Sequence, residues 1–187
     1  MTGRRERRKA DTRLALEDAA LRRFAAEGYD ATSVDAIAAD AGVSARTFFR
    51  YFAGKDEVLD MGRLERQAGL CEVVARADGA GLAVVRAAAV HLAAGFAGDR
   101  ERVALRQRAV ATSPVLRGRL FDTLASWEHT LAAALDARGE ADAATLAAVG
   151  IAVFRAATAA WVDRGGSLED LVERSFDALA TATPDRA

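Results

Sequence analysis

Residues 33–52 read SVDAIAADAGVSARTFFRYF, and this stretch decides the fold of the N-terminal part of the chain. Ser33 and Ser44 each precede a short helical pattern and can cap it with a side-chain oxygen. Gly42 separates the two patterns and permits the positive φ of a tight turn. The shared apolar wedge is expected to consist of Ile37, Val43 and Phe48. The spacing predicts a helix-turn-helix whose second helix is suited to a DNA major groove.

The second helix of this motif presents polar and aromatic side chains outward or along its edges. Arginine can donate two hydrogen bonds to guanine, the threonine methyl group can meet that of thymine, and hydroxyl groups suit phosphates. Phe48 and Phe52 are expected in the core, and ordinary solvated surface is the alternative for Arg46 and Arg50. The predicted DNA contacts are Thr32, Ser33, Ser44, Ala45, Arg46, Thr47, Phe49, Arg50, Tyr51 and Lys55.

Composition extends the helical prediction to the whole chain. Of 187 residues, 51% are hydrophobic and 46 are alanine, whereas the β-branched and aromatic residues that favour strands are sparse. The chain is therefore predicted to be all-α, with about nine helices separated by glycine, serine and proline. The first helix is expected after a basic arm, the fourth from Lys55 toward Ala75, and the eighth over Ala143–Val162.

Several classes of protein do not fit the sequence. Cys71 is the only cysteine, so no internal disulfide and no CxxC motif can form, and a reducing compartment, the cytoplasm, is expected. No apolar stretch follows the basic N-terminus, as a secretory signal requires. The run Ala143–Val162 is long enough for a bilayer, but Arg155 near its centre predicts a buried soluble helix and no membrane partner. Without catalytic or metal motifs, neither an enzyme nor a cofactor is expected.

Positive charge is concentrated at the N-terminus. Residues 1–13 carry six basic and two acidic side chains, a sum of +4, so the other 174 residues sum to -5 in a chain of net charge -1. A basic arm on an acidic body suggests contact with a polyanion, and a solvated, disordered tail is the alternative. The predicted organisation is a basic arm at 1–13, a helix-turn-helix domain at 10–57 with its motif at 33–52, and a C-terminal regulatory and dimerisation domain at 58–187.

The N-terminal segment resembles the signature of TetR-family transcriptional regulators over about residues 10–60. The resemblance rests on Thr32-Ser33-Val34, Ile37-Ala38, Ala41-Gly42-Val43-Ser44, Thr47-Phe48-Phe49-Arg50-Tyr51-Phe52 and Lys55. It implies a two-part, nine-helix fold and a homodimeric repressor that a small molecule releases from a palindromic double-stranded operator. Carried over position by position, it implies DNA contact by Ser44, Thr47, Tyr51 and Lys55.

Two positions depart from the family pattern. Arg46 stands where members commonly have glycine, and Phe49 stands where they commonly have tyrosine. Phe49 lacks a hydroxyl that would contact a phosphate, whereas Arg46 adds a contact to a base or a phosphate. The operator sequence therefore cannot be inferred from other members.

The C-terminal domain contains candidates for an effector site. A pocket between helices would be mainly apolar with a few polar anchors, although core filling is the alternative role for each aromatic residue. The region 106–131 is similar to the mycofactocin-regulator branch of the family, which implies a lipophilic or acyl-coenzyme-A-like effector. The predicted ligand contacts are His91, Phe96, Arg106, Phe121, Trp127, Phe154 and Trp161.

The eighth and ninth helices are predicted to form a dimer interface. Ala152, Ala156 and Ala160 repeat every four residues and allow another helix to approach closely, and Phe176 lies on the ninth helix. A two-fold four-helix interface would place two reading helices about one DNA turn apart. Two other functions remain open, namely transcriptional activation by the same fold and a helical protein-interaction module without DNA binding.

Overall fold

The computed structural model describes residues 2–60 and 62–182. Within these residues the chain forms nine α-helices and one 3₁₀ helix and contains no β-strand, which confirms the predicted all-α class. The 3₁₀ helix, Lys55–Asp60, lies between α3 and α4. The α-helices are α1 (Thr2–Glu27), α2 (Val34–Asp40), α3 (Ala45–Tyr51), α4 (Arg63–Arg76), α5 (Leu82–Ala94), α6 (Arg100–Thr112), α7 (Pro114–Ala137), α8 (Ala143–Arg164) and α9 (Leu168–Ala182).

Two predicted helix boundaries near the N-terminus are wrong. The first helix was expected after the basic arm, but α1 begins at Thr2 and includes arm residues. The helix expected to start at Lys55 is divided into the 3₁₀ helix and α4, which starts at Arg63. Gly62 precedes α4 with a φ of +73°, a left-handed conformation that a continuous α-helix does not contain.

The described residues form two compact units. The N-terminal unit comprises 2–60 together with Glu101–Asp122, and the C-terminal unit comprises 62–100 together with 123–182. Helix α7 therefore contributes residues to both units. The two units describe how the residues pack and not what they do. The functional domains at 10–57 and 58–187 therefore stay a prediction.

Helices α1 to α3 enclose the core of the N-terminal unit. Leu16, Phe24, Ile37 and Phe48 are at most 1% exposed in this core. Leu14, also on α1, is 44% exposed. Leu16 and Phe24 therefore lie on the buried face of α1, and Leu14 lies outside it.

Ion pairs made by two arginines attach residues 101–122 to the remainder of the N-terminal unit. Arg102 on α6 contacts Glu17 and Asp18 on α1, with N···O distances of 2.8 and 2.7 Å. Arg119 on α7 donates to Asp56 of the 3₁₀ helix at 2.5 Å, and this hydrogen bond raises the pKa of Arg119. Because these residues are far apart in sequence, the contacts hold non-local elements together.

Helix α8 packs against α5 and α9 in the C-terminal unit. A Cβ atom at Gly150 would lie 2.6 Å from Cγ1 of Val85, so glycine permits the close approach of α8 to α5. By length and composition α8 could cross a membrane. It nevertheless buries eight residues within the unit, including Ile151, Phe154 and Trp161. This burial agrees with the prediction of a core helix in a soluble protein.

Candidate nucleic-acid interface

Serine side chains cap both helices of the motif. The Ser33 Oγ accepts a hydrogen bond from the backbone N of Ala36 at 3.1 Å, and α2 follows. The Ser44 Oγ accepts one from the backbone N of Thr47 at 3.2 Å, and α3 follows. Both predicted caps are thus present, and each satisfies a backbone donor that the first turn of a helix leaves without an intrahelical partner.

A tight turn joins α2 to α3. Gly42 has a φ of +68°, and the backbone N of Val43 donates to the carbonyl of Ala38 at 2.9 Å. Ile37 and Phe48 are fully buried on the two sides of this turn. The predicted helix-turn-helix is therefore confirmed, and its wedge leaves the opposite face of α3 to solvent.

Arg46, Phe49 and Arg50 are the exposed side chains of α3. Their separations of three and four residues put them on one face of the helix. The Arg50 guanidinium lies 5.3 Å from the ring centroid of Tyr51, a cation–π contact that holds it near the end of α3. Two cationic side chains and one apolar ring therefore share the surface of α3 that the sequence predicts to contact DNA.

Ser44, Ala45 and Thr47 lie at the start of α3 beside this face. Ser44 is exposed, whereas Ala45 and Thr47 are half-buried. The hydroxyls of Ser44 and Thr47 are 3.1 Å apart and within hydrogen-bond distance. The structure therefore brings these predicted contacts together, and their contact with DNA stays a prediction.

Thr32 and Lys55 are turned inward. The Thr32 hydroxyl is buried and donates to the carbonyl of Gly28 at 2.8 Å. The Lys55 Nζ donates to the carbonyls of Tyr29 and Thr32 at 2.6 and 2.8 Å and lies 4.2 Å from the Tyr29 ring centroid. Burial raises the pKa of the Tyr29 phenol. Sequence reasoning missed Tyr29 as the partner of Lys55, because their 26-residue separation has no periodic signal.

The basic arm extends along the first turns of α1. Arg7, Arg8 and Lys9 are exposed, whereas the side chains of Arg4 and Arg5 lie outside the described part of the chain. An exposed cationic helix start of this kind can contact a phosphate backbone without reading bases. The structure thus places a second positive surface in the same unit as α3.

Four of the predicted ligand contacts are buried in the C-terminal unit. Phe96, Trp127 and Phe154 form a cluster with ring centroids 5.7 to 6.4 Å apart. The Trp161 Nε1 donates to the carbonyl of Gly166 at 3.0 Å. These aromatic side chains are at most 4% exposed and fill the core.

The other three predicted ligand contacts are not among these buried aromatic residues. His91 is exposed and packs its Nε2 against Gly69, where a Cβ atom would be 2.3 Å away. Arg106 is buried in the N-terminal unit, and Phe121 of the same unit is 56% exposed. Arg106 and Phe121 lie in the N-terminal unit because α6 and the start of α7 pack with α1. The spacing of residues in the sequence does not reveal this packing.

A groove of about 680 Å³ lies between α4 and α7 in the C-terminal unit. Four alanines, Thr130 and Arg138 contribute to its lining together with Cys71 and His129. Arg138 donates to the carbonyls of Val74 and Gly79, both at 2.8 Å. The predicted aromatic contacts do not line this groove, which has the volume of a small-molecule site.

The predicted dimer residues divide between surface and core. Ala152 and Ala156 on α8 are exposed, and Ala160 is half-buried. Phe176 on α9 is 2% exposed and lies within the protomer, with the Arg86 guanidinium 5.7 Å from its ring centroid. The surface available to a second copy therefore contains the alanine strip but not the Phe176 ring.

The N-terminal segment is similar in sequence to known proteins. Residues 16–60 match the model of the family described as bacterial regulatory proteins, tetR family. MftR of Mycobacterium tuberculosis, by name a mycofactocin biosynthesis transcriptional regulator, is 44% identical over 52 residues, which are 28% of this chain and 26% of MftR. The HTH-type transcriptional regulator TcmR of Streptomyces glaucescens is 48% identical over 56 residues, 30% of this chain and 25% of TcmR. The matches therefore span about a quarter of the curated relatives.

The likeness in fold extends along nearly the whole chain. FadR, a transcriptional regulator of Bacillus subtilis solved in complex with stearoyl-CoA, aligns with a TM-score of 0.64 and 20% identity, covering 91% of this chain and 98% of that one. The family and these relatives are transcriptional regulators, not enzymes. Residues 16–60 therefore match the tetR-family model in sequence, and the chain shares its two-part helical fold with solved transcriptional regulators such as FadR.

Proposed function

We propose that the protein is a homodimeric, ligand-responsive transcriptional regulator that binds a palindromic DNA operator through α3. The observation that carries this proposal is the exposed face of Arg46, Phe49 and Arg50 on a capped helix whose opposite side is locked into the core. Two arginines on one face can read guanine, and the exposed Arg7, Arg8 and Lys9 can neutralise phosphates.

Selection of bound fragments from random duplex DNA tests the proposal. A short palindrome should be enriched and bound at nanomolar concentrations, with affinity falling about a thousandfold or more between 50 and 200 mM salt if six or more phosphates are neutralised. Arg46→Glu should abolish this binding while circular dichroism shows an unchanged helical fold. Equal affinity for the palindrome and for random duplex would contradict sequence-specific binding and favour a protein-interaction module.

The effector is proposed to be a small lipophilic molecule of the acyl-coenzyme-A type. Support comes from the apolar C-terminal unit with its small-molecule-sized groove and from the relative FadR, which was solved with stearoyl-CoA. Stearoyl-CoA added to the protein–operator complex should release the DNA, whereas free coenzyme A should not. Retention of the complex at saturating stearoyl-CoA would contradict this effector class.

The dimer is proposed to form through α8 and α9. The exposed alanines 152 and 156 leave room for a partner helix, and a two-fold pair would match the symmetry of a palindrome. Ala156→Glu should convert the dimer to a monomer in sedimentation velocity, whereas Ala94→Glu, at the exposed end of α5, should not. A wild-type monomer at micromolar concentration would contradict this arrangement.

Repression in the cytoplasm is the proposed outcome, with activation as the alternative. Effector binding would favour a conformation in which the two reading helices no longer fit adjacent turns of DNA. A reporter gene placed behind the selected operator should be silent with the protein and active after effector is added. The opposite response would identify an activator of the same fold.

A further inference from the structure

Phe49 differs from its phenylalanine neighbours in exposure. Phe48 and Phe52 are 0% and 2% exposed in the core, whereas Phe49 is 57% exposed. A phenyl ring left in water forgoes the free energy that burial would contribute. In the free protein Phe49 therefore presents an apolar surface on the helix that is proposed to enter DNA.

Contacts within α3 orient this ring. The Phe49 and Phe48 rings meet edge to face, with centroids 5.6 Å apart and planes at 86°. Because Phe48 is fixed in the core, this contact limits the directions that the Phe49 ring can take. Arg46 lies three residues earlier on the same face, and Arg50 follows directly. The ring is thus held between two cations that can reach base edges.

The chemistry of the ring restricts what it can recognise. A phenyl side chain has no hydrogen-bonding atom, so it cannot distinguish bases by their donors and acceptors. The apolar group that bases present in the major groove is the C5-methyl of thymine. Burial of that methyl against an exposed ring removes apolar surface of both molecules from water.

We propose that Phe49 is a specificity-determining residue that contacts one thymine methyl group in each operator half-site. This inference rests on the proposed function, namely that α3 enters the major groove. It assigns to Phe49 a preference for thymine beside the bases that Arg46 and Arg50 contact.

Replacement of single thymines by deoxyuridine tests the inference, since uracil keeps every hydrogen-bonding atom and lacks the methyl. The probe is the palindrome selected by the wild-type protein, with each thymine replaced in turn in both half-sites. At one symmetric position the wild-type affinity should fall about fourfold for each methyl removed, or about fifteenfold for both. Phe49→Ala should bind the thymine operator more weakly and lose this discrimination.

A matched variant separates this effect from general loss of apolar surface. Val115 on α7 is 48% exposed, and Val115→Ala should keep the full thymine preference of the wild type. Specific binding with no sensitivity to uracil, or a sensitivity that Phe49→Ala retains, would overturn the inference and leave the proposed function intact. Absence of any preferred palindrome would overturn both.

Discussion

The guanidinium of Arg23 on α1 donates to both carboxylate oxygens of Asp40 on α2, with Nε to Oδ2 at 2.6 Å and Nη2 to Oδ1 at 2.9 Å. A bidentate pair of this kind fixes geometry as well as charge. It joins the long first helix to the last residue of α2, directly before the turn that positions α3. The pair therefore links α1 to the segment that leads into α3, across 17 positions of sequence.

Acid should remove the contribution of the Arg23–Asp40 pair. The hydrogen bond from Arg23 lowers the pKa of Asp40 below its ordinary value of 3.8. Because the folded-state pKa is the lower one, the contribution to stability is complete above the unfolded-state pKa and is lost as the pH falls through the folded-state pKa. The difference in free energy of unfolding between wild type and Asp40→Asn, measured in urea, should therefore shrink below about pH 4. A constant difference at pH 7 and in acid would refute the ionic origin.

Two glycine-to-alanine substitutions should have opposite effects. Gly150→Ala should lower the free energy of unfolding by about 1 to 3 kcal/mol, because its Cβ would meet Val85 Cγ1 at 2.6 Å. Gly118→Ala, in α7 with no atom within 4 Å of the added Cβ, should raise it by about 1 kcal/mol through helix propensity. Denaturant unfolding at one pH measures both. Stabilisation by Gly150→Ala would mean that α5 and α8 can separate without cost.

The two tryptophans should differ in the cost of losing the indole N–H. The Trp161 Nε1 donates to the carbonyl of Gly166 at 3.0 Å, whereas the buried Trp127 Nε1 has no hydrogen-bond partner among residues 2–60 and 62–182. Trp161→Phe should therefore be less stable than Trp127→Phe by about 1 kcal/mol. Thermal and urea unfolding of the two variants test this order, and equal losses would assign the whole cost to packing.

Lys55 should stabilise the fold independently of DNA. Lys55→Met leaves the carbonyls of Tyr29 and Thr32 without their cationic donor and should lower the free energy of unfolding by about 1 to 3 kcal/mol. The exposed Arg46 is the matched position, where Arg46→Ala should leave stability unchanged and weaken operator binding. Unfolding and mobility-shift measurements on both variants separate the two roles. Unchanged stability of Lys55→Met would favour the phosphate contact inferred from the family pattern.

Local patterns predicted the helix-turn-helix well. The caps at Ser33 and Ser44, the positive φ at Gly42 and the burial of Phe48 each depend on residues within one turn or helix, so spacing alone is informative. The cap at Ser113 before Pro114 was predictable for the same reason, and its Oγ accepts a hydrogen bond from the backbone N of Leu116 at 3.3 Å. The sequence is sufficient to predict a cap or a turn when the residues that form it are neighbours in the chain.

Non-local packing explains the side-chain placements that the sequence spacing did not predict. An inward Lys55 requires the carbonyl of Tyr29 at the end of α1, and a buried Phe176 requires α5 beneath α9. A helical pattern shows which residues are apolar, but it does not show which neighbour covers them. The groove beside Cys71 is likewise a gap between α4 and α7 rather than a property of either helix.

By itself, the sequence determined the all-α class, the helix-turn-helix and the candidate reading residues, because propensity, capping and turn chemistry act over a few positions. The tertiary structure alone decided that Lys55 donates to the carbonyls of Tyr29 and Thr32, that three aromatic residues of the C-terminal unit pack as a cluster, and that Phe49 stays exposed. These outcomes depend on contacts between segments that are distant in the sequence. A side chain gains the free energy of burial only when such a segment packs over it.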